Sequence, residues 1–73
     1  MKKSYKLKDL DCANCAAKME RAIAKLPEVE RVTVSFLTQR MTLEFADGAE
    51  EQTVLAAVKK CIARVEPDCE VLA

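Results

Sequence analysis

Two cysteines separated by two residues, with an aspartate directly before the first, stand in the stretch LDCANCAAKM, Leu10 to Met19. In a short chain a Cys-x-x-Cys pair is half of a structural zinc site, a redox dithiol, or a ligand pair for a soft metal ion. A structural zinc site needs two more ligands. The chain has no histidine, and Cys61 and Cys69 lie in its other half without knuckle spacing. A thioredoxin-like redox pair would want a longer chain, an aromatic before the motif and a proline inside it. Ala13 and Asn14 fill that gap instead. Metal capture is the reading these residues favour.

Capture requires thiolates, and thiolates require an element that favours them. From about Ala13 the apolar residues take helical spacing, with Ala16, Met19, Ala22, Ile23 and Leu26 on one side and Lys18, Arg21 and Lys25 on the other. Pro27 stops this helix. Cys12 and Cys15 thus sit at its start, where free N–H groups and partial positive charge favour thiolate over thiol. Asp11 has two roles open to it: an oxygen ligand beside the sulfurs, or a cap on the helix. Asn14 fits a local turn hydrogen bond rather than a ligand.

The remaining elements follow from periodicity. Tyr5 to Leu10 alternates, with Tyr5 and Leu7 apolar against Lys6 and Lys8, and predicts a strand with one wet face. VERVTVSFL and MTLEFA alternate as well, placing Val32, Val34 and Phe36, then Met41, Leu43 and Phe45, inward. Joined through Leu37-Thr38-Gln39, they predict a hairpin that ends at Asp47-Gly48. Val54, Leu55, Val58, Ile62 and Val65 form the stripe of a second helix from about Glu50, closed by Pro67, and CEVLA suits a short edge strand. Met19, Met41, Cys61 and Cys69 fall at or near core phases and read as packing. The order strand-helix-strand-strand-helix-strand predicts an α+β, ferredoxin-like βαββαβ sandwich: a four-stranded antiparallel sheet with both helices on one face.

The bulk numbers agree with one small domain spanning residues 1–73 and exclude several function classes. Lys+Arg and Asp+Glu balance at 12 each, which leaves no net field for nucleic acid or an anionic membrane. No apolar run approaches the roughly 20 residues of a membrane span. With no apolar signal-peptide core at the start, the expected compartment is the cytoplasm, where thiols stay reduced.

The DCANC loop, in this strand-helix setting, resembles the metal-binding loop of the heavy-metal-associated domain family, and the βαββαβ order extends that resemblance over the whole chain. It implies that Cys12 and Cys15 are the two metal ligands and that Leu10 is the buried residue beneath the loop. Asp9 stands where the family usually has glycine. The Asp-Cys-x-x-Cys form is similar to the amino-terminal domains of P-type ATPases that export zinc, cadmium and lead. Chemistry points the same way. Zn(II) accepts harder oxygen donors and Cd(II) has charge to balance, whereas Cu(I) is content with two or three thiolates. The expected cargo is therefore Zn(II), Cd(II) or Pb(II), held by Cys12, Cys15 and Asp11, with Cu(I) the alternative metal and a copper(I) chaperone or copper-ATPase domain the alternative role. A small dithiol oxidoreductase is the competing class. The resemblance implies a monomeric, non-enzymatic module, either a pump's amino-terminal domain or a free-standing chaperone. Its partners would be the metal ion and the membrane or cytosolic domains of a P-type ATPase, with no nucleic acid and no direct membrane insertion.

Overall fold

The computed structural model describes residues 1–72. Its elements run β1 (Lys2–Lys8), α1 (Ala13–Ala24), β2 (Val29–Ser35), β3 (Arg40–Phe45), α2 (Glu51–Val65) and β4 (Glu70–Leu72). The strands form one antiparallel sheet in the order β2-β3-β1-β4. This is the predicted ferredoxin-like arrangement, in which each helix carries the chain across the sheet between two strands that are not neighbours.

The helices and one sheet face enclose a single core. Leu7, Leu10, Met19, Ile23, Met41, Leu43, Val54, Val58 and Ile62 are its fully buried side chains. Both methionines therefore pack as the spacing predicts. Cys69 is buried too, and Cys61 is half-buried against the core. The opposite sheet face carries Lys6, Lys8, Thr33 and other polar residues, as a sheet covered on one side requires. Near the start of β2 a register shift between Val29 and Arg31 turns Val29 inward, out of phase with Val32 and Val34.

Several boundaries differ from the sequence expectation: β2 ends at Ser35, leaving Phe36 and Leu37 in the turn, β4 begins at Glu70, after Cys69, with Ala73 outside the described residues, and β1 differs at both ends. β1 begins at Lys2, because Lys2, Lys3 and Ser4 pair with Glu44, Leu43 and Thr42 through backbone bonds that need no apolar alternation. It ends at Lys8, before Leu10, because Asp9 takes φ 64° and turns the chain out of the ladder. That is the left-handed region, which glycine enters freely and Asp or Asn more readily than most residues. The position where the resemblance leads one to expect glycine thus has glycine-like geometry here, supplied by an aspartate. Leu10 stays buried beneath the loop nonetheless, at 2% exposure.

At the far end of the sheet Tyr5 is buried and its hydroxyl donates to Glu51 Oε2 (2.7 Å), while Lys3 Nζ bonds Glu51 Oε1 (2.8 Å). Burial raises the Tyr5 phenol well above its ordinary value, and the Glu51 bond adds to that. These bonds tie the first turn of α2 to β1. Among the described residues, no helix is long and apolar enough to cross a membrane.

Candidate metal centre

The loop 9–12 connects β1 to α1, whose first turn carries Cys15. Cys12 is the N-cap of that helix: its backbone is extended (φ −139°, ψ 118°), its carbonyl accepts from Ala16 N (3.0 Å), and its sulfur accepts from Cys15 N (3.2 Å). The capping role weighed for Asp11 therefore belongs to Cys12, one residue later. A sulfur with anionic character suits that place, because it meets the unpaired donors and the positive end of the helix. Asp11 is left exposed. Asn14 is exposed as well, and among the described residues its side chain makes no hydrogen bond.

The two sulfurs form a unit. The neighbouring Cys15 thiol is the largest cause lowering Cys12 below the ordinary thiol range; the Cys15 and Asn14 backbone N–H groups add to it. The Cys12 sulfur is in turn the first cause pushing Cys15 up to about 11, followed by burial and the charge of Cys12. The pair thus ionises in two separated steps, Cys12 before Cys15. Both cysteines are partly exposed and unbridged, so the pair lies open to an arriving ion.

A pH prediction follows from these directions. Above the lowered value of Cys12 and below that of Cys15, an ion that takes both sulfurs displaces one proton, from Cys15. Affinity is therefore expected to rise about tenfold per pH unit in that window. Below the Cys12 value two protons are displaced and the rise steepens. Competition against a chelator over a pH series checks this; an affinity independent of pH throughout the range below the Cys15 value would show that Cys15 does not bind as a thiolate.

The structure brings Cys12 and Cys15 together but supplies no preassembled third donor. Among the described residues, no three Cys, Asp or Glu side chains are grouped closely enough to hold an ion. Sequence reasoning missed Glu66, which follows α2 directly. Its Oε2 is buried and, among the described residues, has no hydrogen-bond partner, and its charge works against ionisation of Cys12, Cys15 and Cys69. Cys69 is raised first by burial and then by Glu66, Asp9, Asp11 and Glu70, which places four carboxylates around this end of the domain. The only sequence signal for Glu66 was its place before Pro67, where the second helix had to stop near the loop.

The loop, the helix start and the fold have counterparts in known proteins. The model of the heavy-metal-associated domain matches residues 4–66. A cadmium, zinc and cobalt-transporting ATPase of Bacillus subtilis (strain 168) is 36% identical over 67 residues, covering 92% of this chain and 9% of that protein. Copper-transporting ATPase 1 of Rhizobium meliloti (strain 1021) is 30% identical over 56 residues, covering 77% and 7%. This chain therefore spans less than a tenth of the length of either ATPase. Among solved structures, a CopZ metallochaperone superposes with a TM-score of 0.75 at 14% identity, covering 99% of this chain and 100% of that one, a likeness of fold. With the family model matching most of its length around the paired cysteines, this chain belongs to the heavy-metal-associated domain family.

Proposed function

We propose that this domain captures a divalent soft or borderline ion, Zn(II), Cd(II) or Pb(II), through the thiolates of Cys12 and Cys15. The exposed carboxylate of Asp11 swings in as an oxygen ligand. The ion is then handed to, or used to regulate, the membrane or cytosolic domains of a heavy-metal-exporting P-type ATPase on the cytoplasmic side. The observation that carries this reading is the paired sulfur site at the start of α1. It offers one easily ionised thiolate that accepts from the Cys15 backbone N–H, and the Cys15 thiol beside it, both partly exposed.

Two thiolates and a carboxylate balance a divalent ion and leave a fourth position for water or for a donor on the receiving protein. An incomplete ligand set suits transfer, because a partner can add a ligand before the first protein lets go. Glu66, whose charge is felt by both thiols, is a second candidate source of oxygen. Copper(I) is the second reading: two sulfurs without a preassembled third donor are enough for a soft monovalent ion, and a carboxylate would overbalance its charge.

Asp11→Ala separates the two metals. Zinc affinity is expected to fall by about tenfold, while copper(I) affinity under reducing conditions stays nearly unchanged. Chelator competition for each ion, measured on this variant and on Glu66→Gln, checks it. Unchanged zinc affinity in Asp11→Ala contradicts the Asp11 assignment, and a fall confined to Glu66→Gln moves the oxygen donor to Glu66.

A further inference from the structure

The metal loop leaves the sheet through a strained position, and one side chain from the opposite hairpin holds it there. Asp9 and Gln39 are the two non-glycine residues with left-handed backbone among those described, at φ 64° and 55°. They lie on either side of the same junction. The Gln39 carbonyl accepts from Leu7 N (2.7 Å), which carries the β1–β3 ladder one bond past its last paired residues, Lys6 and Arg40. Beyond Asp9, the Gln39 carboxamide takes over: Oε1 accepts from Leu10 N (3.1 Å), and Nε2 donates to Leu10 O (2.7 Å) and Phe36 O (2.9 Å).

Every hydrogen of that amide is used, and its orientation is fixed. Flipped, its oxygen would face two carbonyls. The carboxamide presents to Leu10 the same donor and acceptor that a neighbouring strand would present. Leu10 is thereby paired as if still in the sheet, although Asp9 has turned the chain out of it. Two residues later comes Cys12.

We propose that Gln39 is a positioning residue for the metal site. It brackets the Asp9 reversal with its backbone on one side and its side chain on the other, and so fixes the direction in which Leu10 delivers Asp11 and Cys12. A hairpin turn alone does not need this residue. At φ 55° the turn would be served better by glycine or asparagine, neither of which reaches Leu10. Glutamine is accepted in the less favourable backbone region because only its length closes the bonds to the loop. This inference rests on the reading that Cys12 and Cys15 hold metal, and it adds an outer support that acts through Leu10.

The test uses Gln39→Gly and Gln39→Asn, which both tolerate the left-handed turn and both lose the reach to Leu10. Three quantities are read on each reduced protein: amide exchange at Leu10, melting of the metal-free chain, and Cd(II) affinity from the thiolate charge-transfer band in chelator competition. Exchange at Leu10 is expected to quicken, and Cd(II) affinity to fall by about tenfold, within the range for supports behind metal ligands. Melting is expected to move little in the glycine variant, because glycine relieves the backbone as the bonds are lost. Should one variant fail to fold, the other carries the same comparison. Faster Leu10 exchange with wild-type Cd(II) affinity overturns the proposal and leaves Gln39 a turn residue. A wild-type chain without the charge-transfer band overturns the metal reading itself, and this inference with it.

Discussion

Replacing Cys12 with serine is expected to weaken zinc or cadmium binding by at least about 100-fold, and replacing Cys15 by a similar factor. Complete four-ligand zinc sites are worth about 10–16 kcal/mol at neutral pH, or roughly 3 kcal/mol per ligand. Since about 1.4 kcal/mol is a factor of ten, losing one ligand costs about two decades. A site with two sulfurs and no preassembled third donor has less to fall back on than a four-ligand site, so this is a lower bound. The two variants differ in how the surviving thiol titrates. In Cys15→Ser the serine hydroxyl and the residue 15 backbone N–H can still donate to Cys12, so its thiol stays below the ordinary range. In Cys12→Ser the first cause raising Cys15 is gone, and that thiol falls back toward the ordinary value from about 11. Rates of alkylation against pH read both directly. Equal titration curves for the two single variants would contradict the asymmetry of the pair.

The second large effect lies under the site. Met19 follows Cys15 by one helical turn and is fully buried, at 0% exposure. Met19→Ala is expected to cost about 2–5 kcal/mol through lost contacts and the cavity left behind. A domain of this size holds only roughly 4–11 kcal/mol in all, at about 0.05–0.15 kcal/mol per residue. The substitution thus removes a large share of the stability and lowers the melting temperature by roughly 10–40 °C. Leu37→Ala is the control. Leu37 is 91% exposed in the hairpin turn, and its loss is expected to change stability by no more than about 0.5 kcal/mol. Calorimetry of the reduced, metal-free chains checks both, and a Met19→Ala chain melting with wild type would contradict the close packing of α1 on the sheet. Because an ion that binds the folded chain stabilises it by mass action, adding cadmium should recover part of the lost melting temperature.

The sequence made some of this plain for a physical reason. Met19 and Ile23 at helical spacing, Val32 and Val34 against Met41, Leu43 and Phe45 at strand spacing, and the stripe Val54-Leu55-Val58-Ile62 all face the core. Periodicity reports which side of an element is buried, and burial is what these residues share. The placement of the cysteines at the helix start was legible because it depends on local spacing alone. Other features depend on contacts that no local pattern encodes. Asp9 adopts a glycine conformation without being glycine, Cys12 displaces Asp11 as the cap by one residue, and Gln39 reaches Leu10 across 29 positions of sequence. Glu66 belongs with them: nothing in its neighbours marks a carboxylate that works on thiols at the opposite end of the chain.

X-ray absorption at the zinc edge, on the chain loaded with one equivalent under reducing conditions, bears most directly on metal capture by Cys12 and Cys15. The expected spectrum has two sulfurs at about 2.3 Å and lighter donors at about 2.0–2.2 Å, with the sulfur shell lost in the Cys12→Ser, Cys15→Ser double variant. A spectrum without sulfur, or with four sulfurs around zinc, would contradict it.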